Sequence, residues 1–263
     1  MTSSQTTSAV RLPYAEHGDP GGTPVVMLHG ISDSLRSFEP VFPHLPSSIH
    51  AYAVTQRGHG DAPRPADGYG VAQLAGDVVA FMDDAAIERA VVVGHSMGTV
   101  VATRLAIDAP DRVSGLVLVG GRGTFRHPDL DPLYAEVETF GESVDPEWAR
   151  AFQESTIARP VSEEWLDTVT QESLKMPGRV WKALAKDTLG ADHADLLGSI
   201  AVPTLLVRGE LDEIGSAEAQ EELLRRIPDA HLVVYEGIGH ALHWEDPARF
   251  AADLSAFARA VSA

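Results

Sequence analysis

Gly94-His95-Ser96-Met97-Gly98 is a G-x-S-x-G pentapeptide placed between an apolar run and a segment of helical spacing. A serine on a sharp strand-to-helix turn presents its Oγ at a helix N-terminus, where partial positive charge favours a developing anion. Side chains at Gly94 or Gly98 would collide with nearby backbone in so tight a turn. A serine hydroxyl is a weak nucleophile without a base. Gly237-Ile238-Gly239-His240 follows the last apolar run in a glycine-rich loop, and His240 is the preferred base; His243, beside Trp244, competes with it. The imidazole must be neutral, with one nitrogen free to take the serine proton and return it to the leaving group. A carboxylate should hold its other nitrogen. Glu210, Asp212 and Glu213 all lie past the preceding run. Asp212 is preferred, since it is far enough beyond the strand end to turn back, whereas Glu210 sits where the turn begins.

Attack on a carbonyl also needs donors for the oxyanion. One expected donor is the amide of Met97, directly after the nucleophile. The other is the amide of Ile31 in His29-Gly30-Ile31-Ser32, where Gly30 allows close approach. His29 reads first as a packing or hydrogen-bonding group under this loop, with substrate contact as the alternative.

These residues require a scaffold of alternating strands and helices. Apolar runs too short for helices occur at Pro24–His29, Ala51–Thr55, Ala90–Gly94, Gly115–Val119, Thr204–Val207 and His231–Tyr235. Their lack of alternation predicts strands covered on both faces, as in a parallel sheet. A short extended piece at Leu12–Glu16 precedes a Gly- and Pro-rich turn. Helices are expected at Val71–Asp84, Met97–Ile107, Ala217–Ile227 and Pro247–Val261, where apolar residues recur at three- and four-residue steps. The strand–helix alternation implies one mostly parallel sheet with right-handed crossovers. From 121 to 200 no convincing strand occurs. Asp145-Pro146 and Ser162-Glu163 start helices there, and Val180–Lys186 makes a third short one. This segment is expected to form a helical cap. Its tryptophans Trp148, Trp165 and Trp181 either pack the cap to the body or line a substrate cavity.

Composition narrows the chemistry. A chain of 263 residues with 44% hydrophobic content can build a large core. It contains no cysteine, which excludes disulfides, thiolate catalysis and cysteine-containing metal sites. With 20 basic and 38 acidic residues its formal charge is −18, so nucleic acid and anionic membranes are not expected partners. No H-E-x-x-H or phosphate-binding glycine loop occurs, and neither a metal nor an organic cofactor is expected. The first residues are polar and expected to fray, and no secretory leader or membrane span is legible, so a cytoplasmic protein is expected. Oligomeric state is not legible.

Together these segments resemble the α/β-hydrolase fold family, in its capped branch of esterases, lactonases, C–C bond hydrolases and cofactor-free perhydrolases. The resemblance rests on His29-Gly30, Arg57-Gly58-His59-Gly60, Gly94–Gly98, Asp212 and Gly239-His240, and covers nearly the whole chain. It implies a core of residues 1–120 and 201–263 with helices on both faces of the sheet, and a cap of residues 121–200. It also implies hydrolysis of a small-molecule carboxylic ester or lactone through an acyl-enzyme on Ser96. C–C bond cleavage would need polar groups for a second carbonyl; Arg122 and Arg126 could serve, although a surface role is the more ordinary expectation. Perhydrolases commonly carry an aromatic residue where this chain has Ile31. A binding protein that merely keeps the scaffold is the reading from another class, and the intact Ser96, Asp212 and His240 set argues against it. The chain departs from the family pattern at Thr55, Asp61 and Thr99, where Asp, Ser and Gly are frequent. A serine nucleophile also disfavours the dehalogenase and epoxide hydrolase branches, which use a carboxylate.

Overall fold

The structure is a computed structural model and describes residues 9–262. The expected fraying of the first eight residues lies outside that range. Seven strands form one sheet: β1 (Tyr14–Gly18), β2 (Thr23–Leu28), β3 (Ile49–Val54), β4 (Ala90–His95), β5 (Val113–Val119), β6 (Thr204–Gly209) and β7 (Ala230–Tyr235), in the order β1-β3-β2-β4-β5-β6-β7. All neighbours pair in parallel except β1, which runs antiparallel to β3. The unbroken apolar runs have the expected cause. Val26, Leu28, Val92, Leu116 and Leu118 enter one core, while Val25, Met27, Val91, Val93, Val117 and Val119 enter another on the opposite face.

Helices cover both faces. α1 (Val71–Asp84) buries Leu74, Val78, Phe81 and Met82 on the first face, beside α2 (Met97–Asp108). α2 stops before Ala109-Pro110, since the residue before a proline is pushed out of helical backbone. On the opposite face α9 (Pro247–Ser262) packs Phe250, Leu254 and Ala258.

Between β5 and β6 lies the helical cap: α3 (Asp131–Glu138), α4 (Pro146–Glu154), α5 (Glu163–Leu174) and α6 (Gly178–Leu184). Asp145 and Ser162 cap α4 and α5 with side-chain hydrogen bonds to Glu147 and Trp165 amides, as their sequence positions indicate. α3 is the helix that periodicity missed; it is short and buries only Val137. α7 (Ala217–Arg226) links β6 to β7, and a single turn, α8 (Leu242–Glu245), follows the last strand. Among the described residues no helix is long and apolar enough to cross a membrane.

Candidate active site

Ser96 occupies the turn between β4 and α2 with φ 50° and ψ −118°, a left-handed conformation that L-residues rarely adopt. The flanking glycines make the turn possible. A β-carbon on Gly94 would overlap the carbonyl of Gly98, and one on Gly98 would overlap the carbonyl of Leu28. The Ser96 amide donates to the Val119 carbonyl at 2.9 Å, which fixes the turn to β5. Thr99 Oγ1 donates to the Ser96 carbonyl at 2.6 Å. The departure at Thr99 is therefore a clamp on this turn.

Asp212 and His240 come together at the carboxyl ends of β6 and β7. Asp212 Oδ2 lies 2.9 Å from His240 Nδ1, and Oδ1 accepts from the amides of Ile214 (2.9 Å) and Gly215 (2.8 Å). Burial alone would raise the Asp212 pKa, but the neighbouring imidazole and these donors hold it below the ordinary carboxylate range. His240 Nε2 is buried and has no partner among the described residues. Ser96 and His240 line one narrow cleft with Gly30, Ile31, Asp33, His95, Phe152, Gln153, Thr156, Ile214 and Trp244. Its volume is about 20 Å³, roughly one water molecule. Glu210 instead accepts from the Gly237 amide at 2.8 Å, tying two loops together.

The competing base is committed elsewhere. His243 is fully buried, and its Nε2 lies 3.0 Å from Ser37 Oγ, outside the cleft. Burial lowers its pKa to about 3, so it is neutral. His29 is likewise buried and absent from the cleft wall. Its Nδ1 contacts the Gly30 carbonyl (2.7 Å), while Nε2 accepts from the Gln56 amide (3.0 Å). These bonds hold it beneath the loop that carries Gly30 and Ile31. Ile31 lines the cleft, and the Met97 amide opens α2; among the described residues neither amide donates to a carbonyl of another segment.

The cap tryptophans do not line this cleft. Trp181 is fully buried in an aromatic cluster with Phe140, Trp148 and Phe152, and Trp165 packs edge-on against Trp244 at 5.9 Å. Trp148 lines a separate cavity of about 440 Å³, which shares Phe152 and Ile214 with the cleft. The tryptophan in the cleft is Trp244, brought there by the single turn of α8 just after His240. Residues that sequence reasoning missed include Asp33, Phe152, Gln153 and Thr156. Asp33 stands two positions past Ile31, which was the available signal; α4 carries no comparable marker.

The remaining arginines and departures hold loops. Arg122 is buried and donates to the Ile214 carbonyl at 2.6 Å, so it braces the Asp212 loop and is not a surface residue; Arg126 is exposed. Thr55 Oγ1 accepts from the Leu35 amide at 2.9 Å, and Asp61 pairs with Lys175 of the cap at 3.0 Å. Arg57 makes a buried two-pronged pair with Asp77 of α1, at 2.6 and 2.7 Å. Cap and base loop share a further joint. Glu245 accepts from the Gly239 amide with one oxygen, and from the Ala158 and Arg159 amides with the other.

Known proteins agree with this architecture. The alpha/beta hydrolase fold family matches residues 23–247. A pimeloyl-[acyl-carrier protein] methyl ester esterase from Neisseria meningitidis is 30% identical over 87% of this chain and 90% of its own length. A solved N-acyl homoserine lactone degrading enzyme is 28% identical with a TM-score of 0.79, covering 94% of this chain and 97% of its own. An esterase from Exiguobacterium antarcticum, 24% identical over 94% of this chain and 95% of its own, superposes with a TM-score of 0.85 and attests the fold. The chain belongs to the α/β-hydrolase fold family, among its esterase- and lactonase-like serine hydrolases of ester bonds.

Proposed function

We propose that Ser96, His240 and Asp212 form the catalytic triad that hydrolyses a small carboxylic ester or lactone. The reading is carried by one observation: Asp212 holds His240 by Nδ1 and leaves Nε2 unpartnered, and His240 lines the same cleft as Ser96. Ser96 Oγ attacks the carbonyl carbon as His240 Nε2 takes its proton. The amides of Ile31 and Met97 receive the oxyanion, and the Asp212 carboxylate stabilises the imidazolium. Collapse expels the alcohol, which leaves with the proton from His240. Water, deprotonated by the same nitrogen, then attacks the acyl-serine and releases the acid. A lactone follows the same course with acid and alcohol on one product. Residues 121–200 act as the cap over this site, and the Trp148 cavity receives the part of the substrate that the cleft cannot hold.

Labelling with a fluorophosphonate tests the assignment. The wild type should be modified at Ser96, and Ser96→Ala or His240→Ala should abolish both labelling and turnover of p-nitrophenyl esters and lactones while the fold persists. Full-rate hydrolysis by Ser96→Ala would overturn it.

A further inference from the structure

Asp33 is a carboxyl in the wall of the cleft, 4% exposed, on the turn that follows Gly30 and Ile31. Its partners are neutral. Gln153 Nε2 donates to Oδ1 at 3.1 Å from the cap, and Ser37 Oγ donates to Oδ2 at 3.3 Å from the core. Among the described residues no lysine or arginine pairs with it. Burying an acid without a cation is costly, and two long hydrogen bonds from neutral groups do not require one. Other polar groups in the wall are committed: Thr156 Oγ1 to the Gln153 carbonyl, Trp244 Nε1 to the Ser37 carbonyl, His95 Nε2 to the His240 carbonyl.

His95 provides the second observation. With Nε2 donating, its Nδ1 is a bare acceptor, buried and without a partner among the described residues. A β-carbon on Gly30 would lie 3.0 Å from this nitrogen and 3.3 Å from Asp33 Oδ2. Two polar atoms thus bracket the bare α-carbon of Gly30, next to the Ile31 amide. A substrate hydroxyl packed over that α-carbon from the cleft side would approach both, donating to His95 Nδ1 and accepting from a neutral Asp33 carboxyl.

We propose that Asp33, with His95, is a specificity-determining residue that hydrogen-bonds a hydroxyl beside the scissile carbonyl, so that esters of short hydroxy acids are preferred substrates. This rests on Ser96 being the nucleophile. The acids are short because the cleft is narrow, and a site built to bond a hydroxyl discriminates against the analogue that lacks it. Burial raises the Asp33 pKa to about 7, against the opposing effects of Gln153, Ser37 and His240, with Glu172 of α5 adding to the rise. His243 faces it through Ser37, and His95 across Gly30; burial keeps both neutral. Below that pH the carboxyl can donate. Above it, the carboxylate only accepts and sets negative charge beside the developing oxyanion.

The test compares kcat/KM for methyl lactate and methyl propionate. Wild type should favour lactate by about tenfold or more at pH about 6, with the preference falling as pH rises past about 7. Asp33→Leu should lose the preference. Asp33→Asn, which keeps a donor and an acceptor and supplies a folded control, should keep most of it without the alkaline fall. Equal rates for both esters in wild type, or a lactate-to-propionate ratio unchanged by Asp33→Leu and an alkaline fall retained in Asp33→Asn, would overturn the proposal. Fluorophosphonate labelling run alongside separates the two levels: loss of Ser96 modification in wild type would refute the nucleophile itself.

Discussion

At the scale of single residues, burial and hydrogen bonding set the imidazoles around the cleft apart. His29, His95 and His243 have pKa values lowered by desolvation, and each holds a structural hydrogen bond. His240 differs from these three in combining a carboxylate partner with an unpartnered nitrogen. Replacing His240 by Ala should therefore lower kcat by about 10⁴-fold or more. Replacing His243 by Ala should instead destabilise the fold by about 1–3 kcal/mol and leave Ser96 labelling intact. A His243 variant that folds normally but cannot be labelled would reverse the assignment. Asp33 gives a stability signature of opposite sign to the usual carboxylate. Its folded pKa, about 7, lies above the ordinary range, so the folded chain retains a proton that the unfolded chain has released. Its favourable contribution is full in acid and is lost as pH rises between the two values. Asp33→Asn should gain on wild type by on the order of 3 kcal/mol between pH about 4 and about 8, read by denaturant unfolding. Parallel pH profiles would contradict this.

At the scale of elements, legibility followed the distance over which a signal acts. The strands and the helices that cover them were readable because each is an apolar run or stripe that one sheet buries on two faces. Ser96 was readable because its turn needs glycines at fixed neighbours, and His240 and Asp212 because each follows a strand end. The cleft wall was not. Phe152, Gln153 and Thr156 belong to the end of α4 and the residues after it, and reach Ser96 only through the docking of cap on core, which no local pattern encodes. The same limit applies to the tryptophans. Trp148 and Trp181 pack mainly with other cap aromatics, and the ring near the serine is the one that α8 supplies. Trp181 should consequently matter for the cap. Trp181→Ala removes a fully buried ring from contact with Phe140, Trp148 and Phe152, at a cost of about 3–5 kcal/mol. A shift of the denaturation midpoint too small for that loss would show that the cluster is loosely packed.

At the scale of the molecule, the chain that holds the cleft carries a formal charge of −18. Charged substrates should feel it. kcat/KM for a monomethyl ester of succinate should rise with added salt, that for a choline ester should fall, and a neutral ester should change little. A flat response for all three would mean that the local field at the cleft cancels the global one. Several contacts fasten cap to core: Lys175 to Asp61, Gln153 to Asp33, and Arg159 to the carbonyls of Glu236 and Gly237. Glu245 differs from these in kind, since one carboxylate grips the strand-end loop just before the base and the connection between α4 and α5. Any displacement of that connection therefore acts, through one carboxylate, on the backbone next to His240.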